Sequence, residues 1–106
     1  MYEADATYID NGYKFLDKQN EGTYVFMKPI NSREILLKRT GNINSEISFI
    51  EGKKTKAMFA SDQLTFSFEV LTYNIKVSSS NISFEYDYFY QNDLVGHIRI
   101  VLLIKE

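Results

Sequence analysis

Hydrophobic and polar residues alternate with a period of two along much of this chain. Leu64, Phe66, Phe68 and Val70 interleave with Thr65, Ser67 and Glu69, and Ile82, Phe84, Tyr86, Tyr88 and Tyr90 interleave with Ser83, Glu85 and Asp87. Such alternation sends one set of side chains to a core and the other to water, as in a half-buried β-strand. Near the end, Ile98, Ile100, Leu102 and Ile104 share one face, while Val101 and Leu103 share the other with Arg99 and Lys105. That pattern predicts a strand partly covered on both sides. Shorter strands are predicted over residues 23–28, 34–39, 45–50, 55–59 and 73–77, the last with Tyr73, Ile75 and Val77 in phase. No stretch carries a helical stripe.

Turn-forming residues separate these segments: Thr40-Gly41-Asn42, Glu51-Gly52-Lys53, Ser61-Asp62, Ser78-Ser79-Ser80-Asn81 and Gln91-Asn92-Asp93. Asn11-Gly12, flanked by Tyr8, Ile9, Tyr13 and Phe15, predicts a hairpin, because both central residues of a type I′ turn take positive φ. The connections are too short for crossover helices, so neighbouring strands must run antiparallel. The expected fold is all-β: one domain over residues 1–106, an antiparallel meander of about eight strands closing into a small barrel. Residues 1–7 read equally as an arm, a short helix or an edge strand.

Composition adds a lean toward sheet and removes several chemistries. Eight Tyr and eight Phe suit a pleated, half-buried surface. The net charge of −2 argues against a nucleic-acid partner, and the Lys53, Lys54, Lys56 cluster reads as a solvated hairpin tip. With no cysteine, disulfides, thiolate metal sites and cysteine nucleophiles are excluded. His97 is the single histidine. No His-Glu-x-x-His pattern, EF-hand loop, phosphate-cradling glycine loop or Gly-x-Ser-x-Gly elbow occurs, so no catalytic residue, metal or cofactor is assigned. Residues 1–5 lack the apolar stretch of a secretory signal, and the longest apolar run, residues 100–104, is far short of the ~20 residues that span a bilayer. The expectation is a cytoplasmic protein with no membrane partner.

From residue 34 onward the order of features becomes specific. Glu34-Ile-Leu-Leu-Lys-Arg-Thr-Gly41 ends a strand in Arg-x-Gly; Ile43, Ser45 and Phe49 follow, then the Glu51-Gly52 turn, Phe59, the alternating strand to Thr72, the strand from Ile82 to Tyr88 and the closing strand to Lys105. This order resembles the YwiB-like family of uncharacterised bacterial proteins, over about the last two thirds of the chain. The resemblance implies a calycin-like (lipocalin-like) β-barrel and carries no activity, substrate or catalytic residue. The chain departs from the pattern near Gln63, where a glycine is usual, and it is shorter at the N-terminus by one or two strands. Whether one chain closes the barrel is left open on this ground.

A barrel of this size either fills with side chains or holds one small ligand. Arg39 falls in phase with Ile35 and Leu37, which points its guanidinium inward to a carboxylate, the barrel mouth or an anionic ligand. Tyr86, Tyr88 and Tyr90, with Phe66 and Phe68, share inward faces and together would line an apolar cavity bearing a few hydroxyls. The plain alternatives are a strand-end arginine reaching solvent or a structural carboxylate, and a packed core whose hydroxyls reach the barrel ends. Glu85 and Asp87 read as a solvated outer face, and His97 as a surface or strand-entry residue. The functional expectation is a non-catalytic barrel binding a small apolar or amphipathic ligand at Arg39, Phe66, Phe68, Tyr86, Tyr88 and Tyr90. The alternative is a structural or interaction barrel with a filled core, forming a homodimer through an edge strand.

Overall fold

A computed structural model describes residues 2–4, 7–17 and 21–104. Among them run ten strands: β1 (Tyr2–Ala4), β2 (Thr7–Ile9), β3 (Gly12–Leu16), β4 (Thr23–Asn31), β5 (Glu34–Gly41), β6 (Ile43–Ile50), β7 (Lys54–Ser61), β8 (Thr65–Val77), β9 (Asn81–Tyr90) and β10 (Asp93–Ile104). All ten belong to one sheet in the order β1-β10-β9-β8-β7-β6-β5-β4-β3-β2. From β2 to β10 the chain is an antiparallel meander, each strand pairing with the next. The sheet curls into a half-barrel. Its concave face packs Phe49 against Phe84 and Tyr86, with ring centroids 4.6 and 4.8 Å apart. Val25, Met27, Ile35, Leu37, Ile47, Val70, Ile82 and Leu102 are buried around them.

The N-terminal segment is an edge strand. β1 pairs with β10 in parallel, Tyr2 opposite Leu102 and Ala4 opposite Ile104. β2 lies at the other edge, against β3. Ala4 and Thr7 are only three residues apart, so the chain can separate them by no more than about 11 Å. Covalent continuity thus brings the two edges of a ten-stranded sheet close together, and this is why the sheet must curl.

Two local expectations need correction. The first hairpin turns at Asp10-Asn11, φ 52° and 62°, one residue earlier than expected. Gly12 is instead the first residue of β3, where a Cβ would lie 2.6 Å from the Phe26 ring. The glycine serves a close cross-strand approach, and Asp and Asn, which tolerate positive φ, make the turn. Second, the segments expected over residues 64–70 and 73–77 fall in one strand, β8, which begins at Thr65. The change of hydrophobic phase between them marks a β-bulge between Tyr73 and Lys76, with Asn74 at φ 54°. An extra residue flips every later side chain to the opposite face. Ile75 therefore turns inward and is buried, Val77 in the same phase is exposed at the strand end, and Tyr73, expected in phase with both, faces outward to Asp87.

Candidate functional site

The concave face is incompletely filled toward one end of the meander, where the β7–β8 and β9–β10 turns lie. Phe59 of β7, Phe66 and Phe68 of β8, and Tyr86, Tyr88 and Tyr90 of β9 alternate inward here, with Leu64, Val95 and Ile98 at the rim. They bound a groove of about 540 Å³. Its aromatic wall is held by edge contacts: Phe66 lies 5.0 Å from Phe59, 6.0 Å from Phe68, and 6.0 Å from Tyr90 in a T-shaped pair. Gly96 faces Tyr88 across β9–β10, and a Cβ there would come within 2.8 Å of the tyrosine ring. The missing side chain gives that ring its place.

A second cavity of about 270 Å³ adjoins the first at Tyr86 and Ile98, which line both. Its far wall comes from β3, β4 and β5: Phe15, Val25, Met27, Leu37 and Arg39, with Asp17 just beyond β3. Arg39 continues the inward phase of the buried Ile35 and Leu37. Its Nε donates to Asp17 Oδ2 at 3.3 Å and its Nη1 to Ser45 Oγ at 3.4 Å. The Asp17 side chain is 5% exposed and that of Arg39 30%, so the pair sits at the boundary between core and cavity. Burial raises the Tyr86 phenol above its ordinary pKa, and the Arg39 charge partly opposes this.

The structure therefore brings five of the six candidate residues, Phe66, Phe68, Tyr86, Tyr88 and Tyr90, around one groove, and sets Arg39 in the compartment beside it. Phe59, Leu64, Val95 and Ile98 belong to the same wall and were not named as site residues. Phe59 carried a signal, in phase with Thr55 and Ala57 and out of phase with Lys54 and Lys56; Leu64 opens the alternating series but lies just before β8, and Val95 sits at the bulge between Leu94 and Gly96, where periodicity breaks. Asp17 continues the inward phase of Tyr13 and Phe15, but no local pattern shows that it meets Arg39.

The outer face carries a separate polar cluster. His97 Nδ1 lies 2.6 Å from Asp87 Oδ1, and its Nε2 lies 3.7 Å from Glu85 Oε1. Tyr73 Oη donates to Asp87 Oδ2 at 2.8 Å and Asn74 Nδ2 to Glu85 Oε2 at 3.2 Å. The hydrogen bond to Asp87 raises the His97 pKa; bonds from His97 and Tyr73 lower that of Asp87, and the bond from Asn74 leads the lowering of Glu85. The imidazole side chain is 52% exposed, and among the described residues no group of three or more His, Asp or Glu side chains is arranged to hold a metal ion. The cluster ties β8, β9 and β10 together on the solvent side.

Fold and groove together define an all-β half-barrel with an aromatic-lined concave face. The chain belongs to the DUF1934 family, a domain of unknown function, which matches residues 1–102. No curated protein and no solved structure matches the chain. Among the described residues no helix is long and apolar enough to cross a membrane.

Proposed function

We propose that the protein is a non-catalytic, small-molecule-binding half-barrel that takes a mostly apolar ligand in the concave groove. The observation that carries this is the aromatic groove of about 540 Å³, within the size range of ligand pockets and lined almost wholly by apolar surface with a few tyrosine hydroxyls. An apolar surface left wet on a concave face gains free energy when a ligand displaces its water. The calycin-like character suggested by the YwiB-like resemblance fits this reading, since small barrels of that kind hold one ligand. A cytoplasmic setting fits the absence of cysteine.

Titration with a neutral fluorescent probe, N-phenyl-1-naphthylamine, tests the proposal, read beside native mass spectrometry of the purified protein for a retained ligand. Ile98 lines both cavities yet is 38% exposed, so Ile98→Glu places a carboxylate at the groove without burying it in the packed core. The wild type is expected to bind the probe with enhanced emission and Ile98→Glu to bind it at least about tenfold more weakly. A probe that binds neither protein, or both equally, would overturn the reading.

A second reading, a structural or interaction protein that self-associates, is favoured by one observation. β2 lies at the sheet edge, and its residues are all exposed. An uncovered strand edge is a template for pairing with another chain. Light scattering across a concentration series decides it: a dimer that dissociates on dilution supports the edge pairing, and a strict monomer at millimolar concentration ends it.

A further inference from the structure

The groove is apolar along its walls, but the compartment it opens into is charged. Arg39 and Asp17 place a charged pair on the wall of that compartment, in a chain whose net charge is −2. Arg99, opposite Glu85 in the β9–β10 register, turns its charge to the outer face with that carboxylate. Arg39 is set deeper. Its Nε and Nη1 contacts, at 3.3 and 3.4 Å, lie at the long end of hydrogen bonding, and its Nη2 has no partner among the described residues. A guanidinium presents five donors in a planar fork that matches a carboxylate. Low-dielectric walls around such a group strengthen its attraction for an anion.

From this juxtaposition we infer that the ligand is a monoanionic amphiphile, its apolar body in the Phe66–Tyr90 groove and its carboxylate-type head on Arg39. The inference rests on the groove reading above and adds the head-group chemistry. Tyr86 and Ile98 line both compartments, which therefore lie side by side, and the inferred ligand extends from one into the other past these two side chains. Asp17 is a positioning residue: it holds the guanidinium by Nε and balances its charge while the site is empty.

Displacement of N-phenyl-1-naphthylamine by dodecanoate, dodecan-1-ol and dodecylammonium, each below its micellar concentration, tests the inference. Dodecanoate is expected to bind at least about tenfold more tightly than dodecan-1-ol, the gain of a hydrogen bond to a charged group, and dodecylammonium most weakly. The double variant Arg39→Gln/Asp17→Asn removes both charges without stranding either, and is expected to keep dodecan-1-ol affinity while losing the preference for dodecanoate. Asp17→Asn alone is expected to widen the preference, an opposite sign that a general loss of structure cannot mimic. Equal binding of dodecanoate and dodecan-1-ol, a preference that survives the double variant, or a preference for the ammonium would overturn the inference and leave the groove reading standing. If no amphiphile displaces the probe and the probe itself fails to bind, the groove reading falls first.

Discussion

At two positions a glycine makes room for a ring on the neighbouring strand. Gly12 admits Phe26 and Gly96 admits Tyr88. At Gly96 the consequence is functional, because Tyr88 lines the groove. Gly96→Ala must move the ring, since its Cε1 would lie 2.8 Å from the new methyl. Overpacking of this kind costs about 1–3 kcal/mol. A lower urea midpoint and a changed probe affinity are expected together, and an unchanged pair would show that the ring does not rest on the glycine. Thr72 makes the opposite case. It is fully buried, and its Oγ1 has no hydrogen-bond partner among the described residues. Thr72→Val deletes a desolvated hydroxyl at almost constant shape and is expected to raise stability by about 1 kcal/mol in urea unfolding. Arg39 shows how far single residues were legible in the sequence. Its inward phase followed from Ile35 and Leu37, whereas its partner Asp17, 22 positions earlier, depends on tertiary placement that no local pattern encodes.

Elements were legible where alternation was unbroken and blurred where the backbone departs from a regular strand. β9 follows its pattern through residue 90, while the bulge in β8 made one strand look like two. The bulge is braced from another hairpin: the Ile75 amide donates to Glu51 Oε2 at 2.9 Å, and the Gly52 amide donates to the Thr72 carbonyl at 2.8 Å. Glu51→Ala strands the Ile75 amide in a part-buried position, at an expected cost of about 1–3 kcal/mol. Amide exchange at Ile75 should rise well above that of Val70, and an unaltered rate would deny the brace. The outer cluster on β9 and β10 gives a pH dependence with a definite sign. His97 is raised above its ordinary 6.5, so its contribution is full below that pH and fades as pH climbs through the raised folded value. Asp87 and Glu85 are lowered from 3.8 and 4.5, so theirs is full above those values and fades as pH drops through the lowered folded ones. Stability from the cluster should therefore peak between about pH 4.5 and 6.5, and His97→Gln should flatten its alkaline flank in a series of thermal midpoints.

At the scale of the molecule, the meander was legible because short turns admit only antiparallel neighbours, and the curl was legible as a tendency toward closure. The role of the N-terminus was not, because Tyr2–Ala4 and Thr7–Ile9 are too short to show a period and pair with strands from opposite ends of the meander. Their connection decides the global shape: a chain that leaves β10 and reaches β3 within a few residues cannot do so across a flat sheet. It also covers an edge. β10 ends beside β1 at Leu102–Ile104, and Leu102 is fully buried. Removing residues 1–6 strips β10 of that neighbour and releases the tie between the two sheet edges. The shortened chain is expected to unfold at lower urea and to associate as its concentration rises, because a bared strand edge with an apolar partner row seeks another strand. Light scattering of the shortened and full-length chains checks this, and association through β10 should be reversed by Val101→Pro, which takes an amide donor from that edge. If the shortened chain stays monomeric with an unchanged unfolding midpoint, the edges are held by the sheet's own curvature, and the N-terminal strands merely follow it.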